Sequence, residues 1–251
     1  MKIAISGKGG VGKTTLAALL AQVYGDAGHN VLAVDADPSP CLAGALGFPG
    51  GLREQLHPIS EMDELIYERT GAKPGTVGGF FTINPRVDDI PERFSVAHRG
   101  VRLLEMGAVD TGGSGCICPE SALLKTLFTH LLFRKEDVLI LDMYAGVEAM
   151  IIVVEPTRRS LGTAAQIKSL ANDIGLTRLW LVGNKVRDEE EAAFLRTETP
   201  GLPILGLLPA DLGVQQADRL GIAVYDHVTS LRQAAEAMAG LLEKQVTEQV
   251  S

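Results

Sequence analysis

The 251-residue sequence predicts an α/β fold: a doubly wound, mainly parallel sheet flanked by helices, in one domain covering residues 1–251. Three observations predict it. Short runs rich in Val, Ile and Leu read as strands buried on both faces, helix-forming stretches separate most of them, and a glycine-rich loop joins the first run to the first helix. No linker, charge block or internal repeat divides the chain, and its length suffices for one sizeable core.

In chain order, residues 2–6 form the first predicted strand and 14–24 the first helix. Further strands are expected at 31–35, 101–106, 138–142, 151–155, 179–183 and 204–208, and helices at 121–133, 160–174, 189–196 and 230–246. Residues 71–79 and 107–115 are loops by composition. In such a sheet ligands bind beyond the C-terminal strand ends, so functional residues are expected there. One connection is too short. If 138–142 and 151–155 are parallel neighbours, about a dozen residues or more should cross between them. Only 143–150 are available, with Gly146 among them, so the sequence reads as lacking a segment near Ala149.

A net charge of −8 and a pI near 5.2 argue against a broad phosphate-binding face, so nucleic acid is not an expected partner. No leader and no apolar run of membrane-spanning length is read, hence no membrane anchor and a cytoplasmic location are expected. Three cysteines make no disulfide framework and read as thiols or ligands.

Residues 7–14 read Gly-Lys-Gly-Gly-Val-Gly-Lys-Thr, which fits G-x-x-x-x-G-K-[ST] between a strand and a helix. Glycines let the backbone wrap a phosphate chain, and the helix N-terminus favours the anion. Gly7, Lys8, Gly9, Gly10, Val11, Gly12, Lys13, Thr14 and Thr15 are therefore candidate nucleotide-binding residues. Lys13 is placed on the β and γ phosphates and Thr14 on Mg²⁺. Asp35 and Asp37 would share a side if their strand continued, before Pro38 breaks it. Asp and Pro are also ordinary turn residues. Asp142 ends a strand four residues before Gly146. An Asn184 amide has the donor and acceptor pattern that matches adenine N6 and N7, although Asn after a strand is also a common turn residue.

Cys116 and Cys118 lie one residue apart in Gly-Gly-Ser-Gly-Cys-Ile-Cys-Pro, just before a helix. Two thiolates half-fill a tetrahedral site, and a second copy across a twofold axis would complete it with four. Thiolates suit Zn²⁺, Ni²⁺ or an iron-sulfur cluster rather than Mg²⁺. Two small loop residues is the plainer reading of the pair. Cys41 is expected to pack as a small buried residue. His29, His57, His98, His130 and His227 show no ligand spacing. Leu231, Ala234, Met238, Leu241 and Leu242 recur at helical spacing among mixed charges, which suits core packing better than a membrane surface.

The run KGGVGKT with its extra lysine, Lys8, resembles the deviant Walker A ATPases, the MinD-like class of P-loop proteins. That resemblance implies that Lys8 reaches the nucleotide of a partner copy, making an ATP-switched homodimer. It implies that Asp35 and Asp142 hold the Mg²⁺ shell, that Asp37 orients the attacking water, and that Gly146 senses the γ-phosphate. It also implies an adenosine pocket made by Asn184, Lys185, Pro209, Ala210 and Asp211. With Cys41, GGSGCIC, LDMYAGVE, VEPT and GNKVR added, the chain is similar to the branch of that family that helps insert nickel into carbon monoxide dehydrogenase. The likeness implies ATP/ADP, Mg²⁺ and one Ni²⁺, or Zn²⁺, held by Cys116 and Cys118 of two copies. Two rival classes stay open: a redox carrier like the nitrogenase iron protein, and a positioning ATPase of the partition or septum-site type.

Overall fold

The computed structural model describes residues 1–37, 39–75, 80–107, 118–133, 138–142, 149–173 and 175–247. Eight strands make one sheet: β1 (Lys2–Gly7), β2 (Val31–Asp35), β3 (Val96–His98), β4 (Val101–Glu105), β5 (Val138–Asp142), β6 (Ala149–Val154), β7 (Leu179–Val186) and β8 (Ile204–Pro209). Their order is β3-β4-β2-β5-β1-β6-β7-β8, parallel throughout except that β3 runs antiparallel to β4. The helices are α1 (Lys13–Asp26), α2 (Leu42–Ala45), α3 (Gly50–Arg53), α4 (Asp63–Thr70), α5 (Ile90–Phe94), α6 (Pro119–Phe133), α7 (Arg158–Asp173), α8 (Glu189–Glu198), α9 (Gly213–Leu220), α10 (Val224–His227) and α11 (Thr229–Thr247).

Alternation along the strands divides the core into layers. Ile3 and Ile5, Val31 and Ala33, Val138 and Ile140, and Ile151 and Val153 face one side, under α1 and α11. Their neighbours Leu32 and Val34, with Leu139 and Leu141, face the other side, under α4 and α6. Farther along that second side, Met150, Ile152 and Val154 pack beneath α7 and α8. A strand covered on both faces needs apolar residues at every position, which explains the unbroken runs in the sequence. Helix α1 is buried nearly all round because it lies between the sheet and α11. In α11, Leu231, Met238 and Leu242 are each 1% exposed, as the stripe predicts, whereas Leu241 is 44% exposed and lies outside it. Burying each of the three contributes roughly 1.5–3 kcal/mol.

Strands β5 and β6 are not neighbours, because β1 lies between them and pairs with both. The sequence-based premise of adjacent strands is thereby corrected. The step from β5 to β6 runs in the same direction across the sheet as the step from β6 to β7. Residues 143–148, including Gly146, make that connection and lie outside the described residues.

Candidate active site

β1 ends at the phosphate loop, and α1 begins from it at Lys13. Two glycines are required by their surroundings. A Cβ on Gly7 (φ +151°) would lie 2.5 Å from the Val153 carbonyl oxygen, and one on Gly12 (φ +98°) would lie 2.1 Å from Asn184 Nδ2. Val11, between them, is 2% exposed and anchors the loop in the core, while Gly9 and Gly10 are exposed. Lys8, Lys13, Thr14 and Thr15 are partly buried around the loop. The Val11 N–H donates to the Lys8 carbonyl at 3.3 Å, closing the turn that carries Lys8.

Beside the loop, the C-terminal strand ends place carboxylates in a row, with Asp142 and Glu105 both in register with Asp35. The Thr14 hydroxyl donates to Asp142 Oδ2 at 2.7 Å, and Asp142 Oδ1 is buried without a protein partner among the described residues. Burial pushes the Asp142 carboxyl up to about 6, against the opposing effect of the Thr14 hydrogen bond. Asp35 is fully buried, and its oxygens accept from the N–H groups of Asp37, Cys41 and Leu42 at 2.9–3.1 Å. Burial raises its carboxyl, and those three donors offset part of the rise. β2 stops at Asp35, so Asp37 does not continue the same face of a strand. It turns out half-exposed and caps the Ser39 N–H at 2.9 Å, and Pro38 lies outside the described residues. Glu105 was not a sequence candidate. It is 8% exposed, and burial, Asp35 and Glu61 raise its carboxyl. The available signal was a charged residue within the apolar run 101–106.

A cavity of about 400 Å³ adjoins the loop, lined by Gly10, Gly12, Thr15, Asn184, Lys185, Pro209, Ala210 and Asp211. The sequence named these eight and missed Leu212, just before α9, and Val214 and Gln215 of α9, which complete the lining. A valine or glutamine in the first turn of a helix carries no signature that would have singled it out. Asp211 accepts from the Gly213 N–H at 2.8 Å and from the Ser230 hydroxyl at 3.1 Å, so its carboxylate fixes the start of α9. Asn184 and Lys185 lie inside β7, not after it as expected. The strand continues past Gly183 through an irregularity in its pairing with β8, and Lys185 takes a left-handed φ of +59°.

Cys118 precedes α6, its carbonyl accepts from the Ala122 N–H at 3.0 Å, and its sulfur lies 3.0 Å from the Ser121 hydroxyl. Ser121 is 5% exposed. Cys116 lies outside the described residues. Cys41 is exposed before α2, which corrects the expectation of a buried thiol. The chain turns there so that the Cys41 N–H, not its side chain, points inward to Asp35. Partial burial, then Asp35, Asp37 and Asp142, push that thiol up. Among the described residues no three His, Cys, Asp or Glu side chains are grouped to hold a metal ion within one chain.

The family model for the CobQ/CobB/MinD/ParA nucleotide-binding domain matches residues 2–224. The chain belongs to this nucleotide-binding family. Like the family, it has an eight-stranded, mostly parallel sheet flanked by helices, and it is an ATPase. It is 44% identical over 256 aligned positions to the carbon monoxide dehydrogenase accessory protein CooC of Rhodospirillum rubrum, with 97% of each chain covered. It is also 44% identical to an uncharacterised ATP-binding protein of Methanocaldococcus jannaschii, covering 88% of this chain and 90% of that one. Among solved structures, the MinD cell division protein of Aquifex aeolicus matches with a TM-score of 0.65 at 21% identity, covering 97% and 96% of the two chains. That likeness concerns the fold of the CobQ/CobB/MinD/ParA family alone. No helix among the described residues is long and apolar enough to cross a membrane.

Proposed function

We propose that this chain is an ATP-driven, dimerising metallochaperone that carries nickel on Cys116 and Cys118 of two copies and assists nickel insertion into carbon monoxide dehydrogenase. The similarity to CooC across 97% of both chains carries this reading. The position of Cys118, at the start of a 15-residue helix with its sulfur against a buried hydroxyl, supports it. Four thiolates from two copies make a closed site for a borderline metal, whereas one chain supplies half.

For the nucleotide, Lys13 offsets charge on the β and γ phosphates and the loop N–H groups cradle them. Lys8 extends to the nucleotide of the second copy, so ATP binding and closure are one event. The Thr14 hydroxyl and the unpartnered Asp142 Oδ1 are hard oxygen donors, which fits Mg²⁺. Bound there, Mg²⁺ supplies charge neutralisation on the phosphates. Asp35 shapes the turn that holds Asp37 through its three backbone hydrogen bonds, and Asp37 orients the attacking water. Asn184, Lys185, Pro209, Ala210 and Asp211 bound the nucleotide cavity.

The test is a Ni²⁺ titration of reduced, anaerobic protein with mass measured in parallel. One Ni²⁺ per two chains, lost in Cys116→Ala/Cys118→Ala, is expected. Metal binding that ignores the double substitution would leave an ATP switch with another partner, of the positioning type.

A further inference from the structure

A groove of about 630 Å³ separates α6 from the irregular segment 83–88. Its floor is apolar: Pro85 is buried, and Val87 and Ala122 are 4% and 5% exposed. Ile83, which lines the same groove, is 61% exposed. The two walls are fastened together. The Thr126 hydroxyl donates to the Ile83 carbonyl at 3.4 Å, and the Gly75 N–H donates to the Glu120 carboxylate at 3.1 Å. Charge on the rim is unequal. Asp88 is neutralised by two hydrogen bonds from Arg86, at 2.6 and 2.9 Å, whereas the exposed Lys125 ammonium has no acidic partner among the described residues. The groove begins at Ser121, whose hydroxyl lies 3.0 Å from the Cys118 sulfur, and follows α6 to His130. That is about 14 Å at 1.5 Å per residue.

We propose that this groove seats the protein that takes the metal from Cys118, through a short segment with an apolar side chain for the floor and a carboxylate for Lys125. A metal–thiolate bond is only about 2.3 Å long, so the receiving ligands must be held almost against Cys118 while the metal changes hands. A groove that opens within one helical turn of that sulfur holds them there. Apolar surface rimmed by polar groups is the usual form of such a contact, and about 14 Å accommodates roughly four residues of extended chain. Lys125 sets the register. On a chain of net charge −8 an acidic segment is repelled over most of the surface, and a cation at the groove rim steers it to one place.

This inference rests on the metal-carrier reading above, and the test separates the two. The probe is nickel-free carbon monoxide dehydrogenase. Its binding to the nickel-loaded protein is measured by biolayer interferometry for wild type, Ile83→Asp, Lys125→Glu and Lys125→Arg. Ni²⁺ stoichiometry, ATP turnover, mass and melting temperature are followed in parallel. Ile83 and Lys125 are exposed and belong to neither the nucleotide site nor the thiolate pair, so these controls are expected to match wild type. Ile83→Asp and Lys125→Glu should each weaken binding about tenfold. The Lys125→Glu loss should shrink at high salt, and Lys125→Arg should stay within about twofold of wild type. Equal affinity in wild type and all variants would overturn the groove and leave the metal-carrier reading in place. Loss of the dimer in Ile83→Asp would make the groove a contact between two copies of this chain, which also overturns it. A wild-type protein that neither binds the dehydrogenase nor passes Ni²⁺ to it would sink the metal-carrier reading, and this occupant with it.

Discussion

The phosphate loop and the start of α6 are both loop-to-helix junctions, yet they differ in how much of a site one chain provides. At the loop, side chains from β5 and β7 meet α1 and the loop backbone within hydrogen-bonding distance, so one chain brings several distant segments together there. At α6, Cys118 has one buried hydroxyl beside it, and its described surroundings contain no second ligand. The contrast teaches that parallel strand ends converge on a common edge whatever the sequence distance, whereas a helix start on a loop has only its own first turn. In the function proposed above, the first site takes one lysine, Lys8, from a second copy, whereas the second would take half of its ligands from one.

Substitutions can break that contrast. The largest effect is expected from Lys13→Ala, which should weaken ATP binding by the monomer on the order of a hundredfold, since a charged contact to the phosphates is lost. Calorimetry at a concentration where the protein is monomeric checks it, and unchanged affinity would remove the loop from the nucleotide site. Next comes Asp142→Asn. The Asp142 carboxyl near 6 lies above its ordinary value, so the folded chain keeps this proton longer than the unfolded chain. Stability of the nucleotide-free protein should therefore fall as pH rises from about 4 to about 6. Removing the charge should raise stability at pH 7 by about 2–3 kcal/mol and flatten that slope, as read by urea unfolding at several pH values. A slope that survives the substitution would belong to Asp35 and Glu105, whose carboxyls are raised as well. The smallest effect is expected at the cysteine end. Ser121→Ala removes the hydroxyl beside Cys118 and should reduce Ni²⁺ affinity by about threefold without changing stoichiometry, measured against a chromophoric chelator. A larger loss would mean that the cysteine end depends on its own chain as strongly as the phosphate loop does.

The fold was legible because strands covered on both faces announce themselves as unbroken apolar runs, and β2 and β5 were bounded to the residue. The helices α2 and α3, four residues each, contain too little sequence to show a period. β7 was ended at Gly183 in the reading because Asn184 and Lys185 are poor strand formers; pairing with β8 resumes beyond them at Val186. The phosphate loop was legible because one contiguous motif encodes it. The row of Glu105, Asp35 and Asp142 was only partly so, since register between distant strands decides it. Cys41 was misjudged because burial depends on which way a turn presents its side chain, a property that composition does not carry.

Helix α1 holds Lys13 and Thr14 at its first turn and rests along its length on α11, with the Tyr24 hydroxyl reaching the Ala239 carbonyl 215 residues away. During synthesis, then, the phosphate loop leaves the ribosome early, while the surface that fixes its helix emerges far later. A nascent chain stalled before α11 would expose the apolar flank of α1 and hold its phosphate cradle on an unsupported helix. A chain truncated before α11 is therefore expected to bind ATP more weakly than the full-length protein.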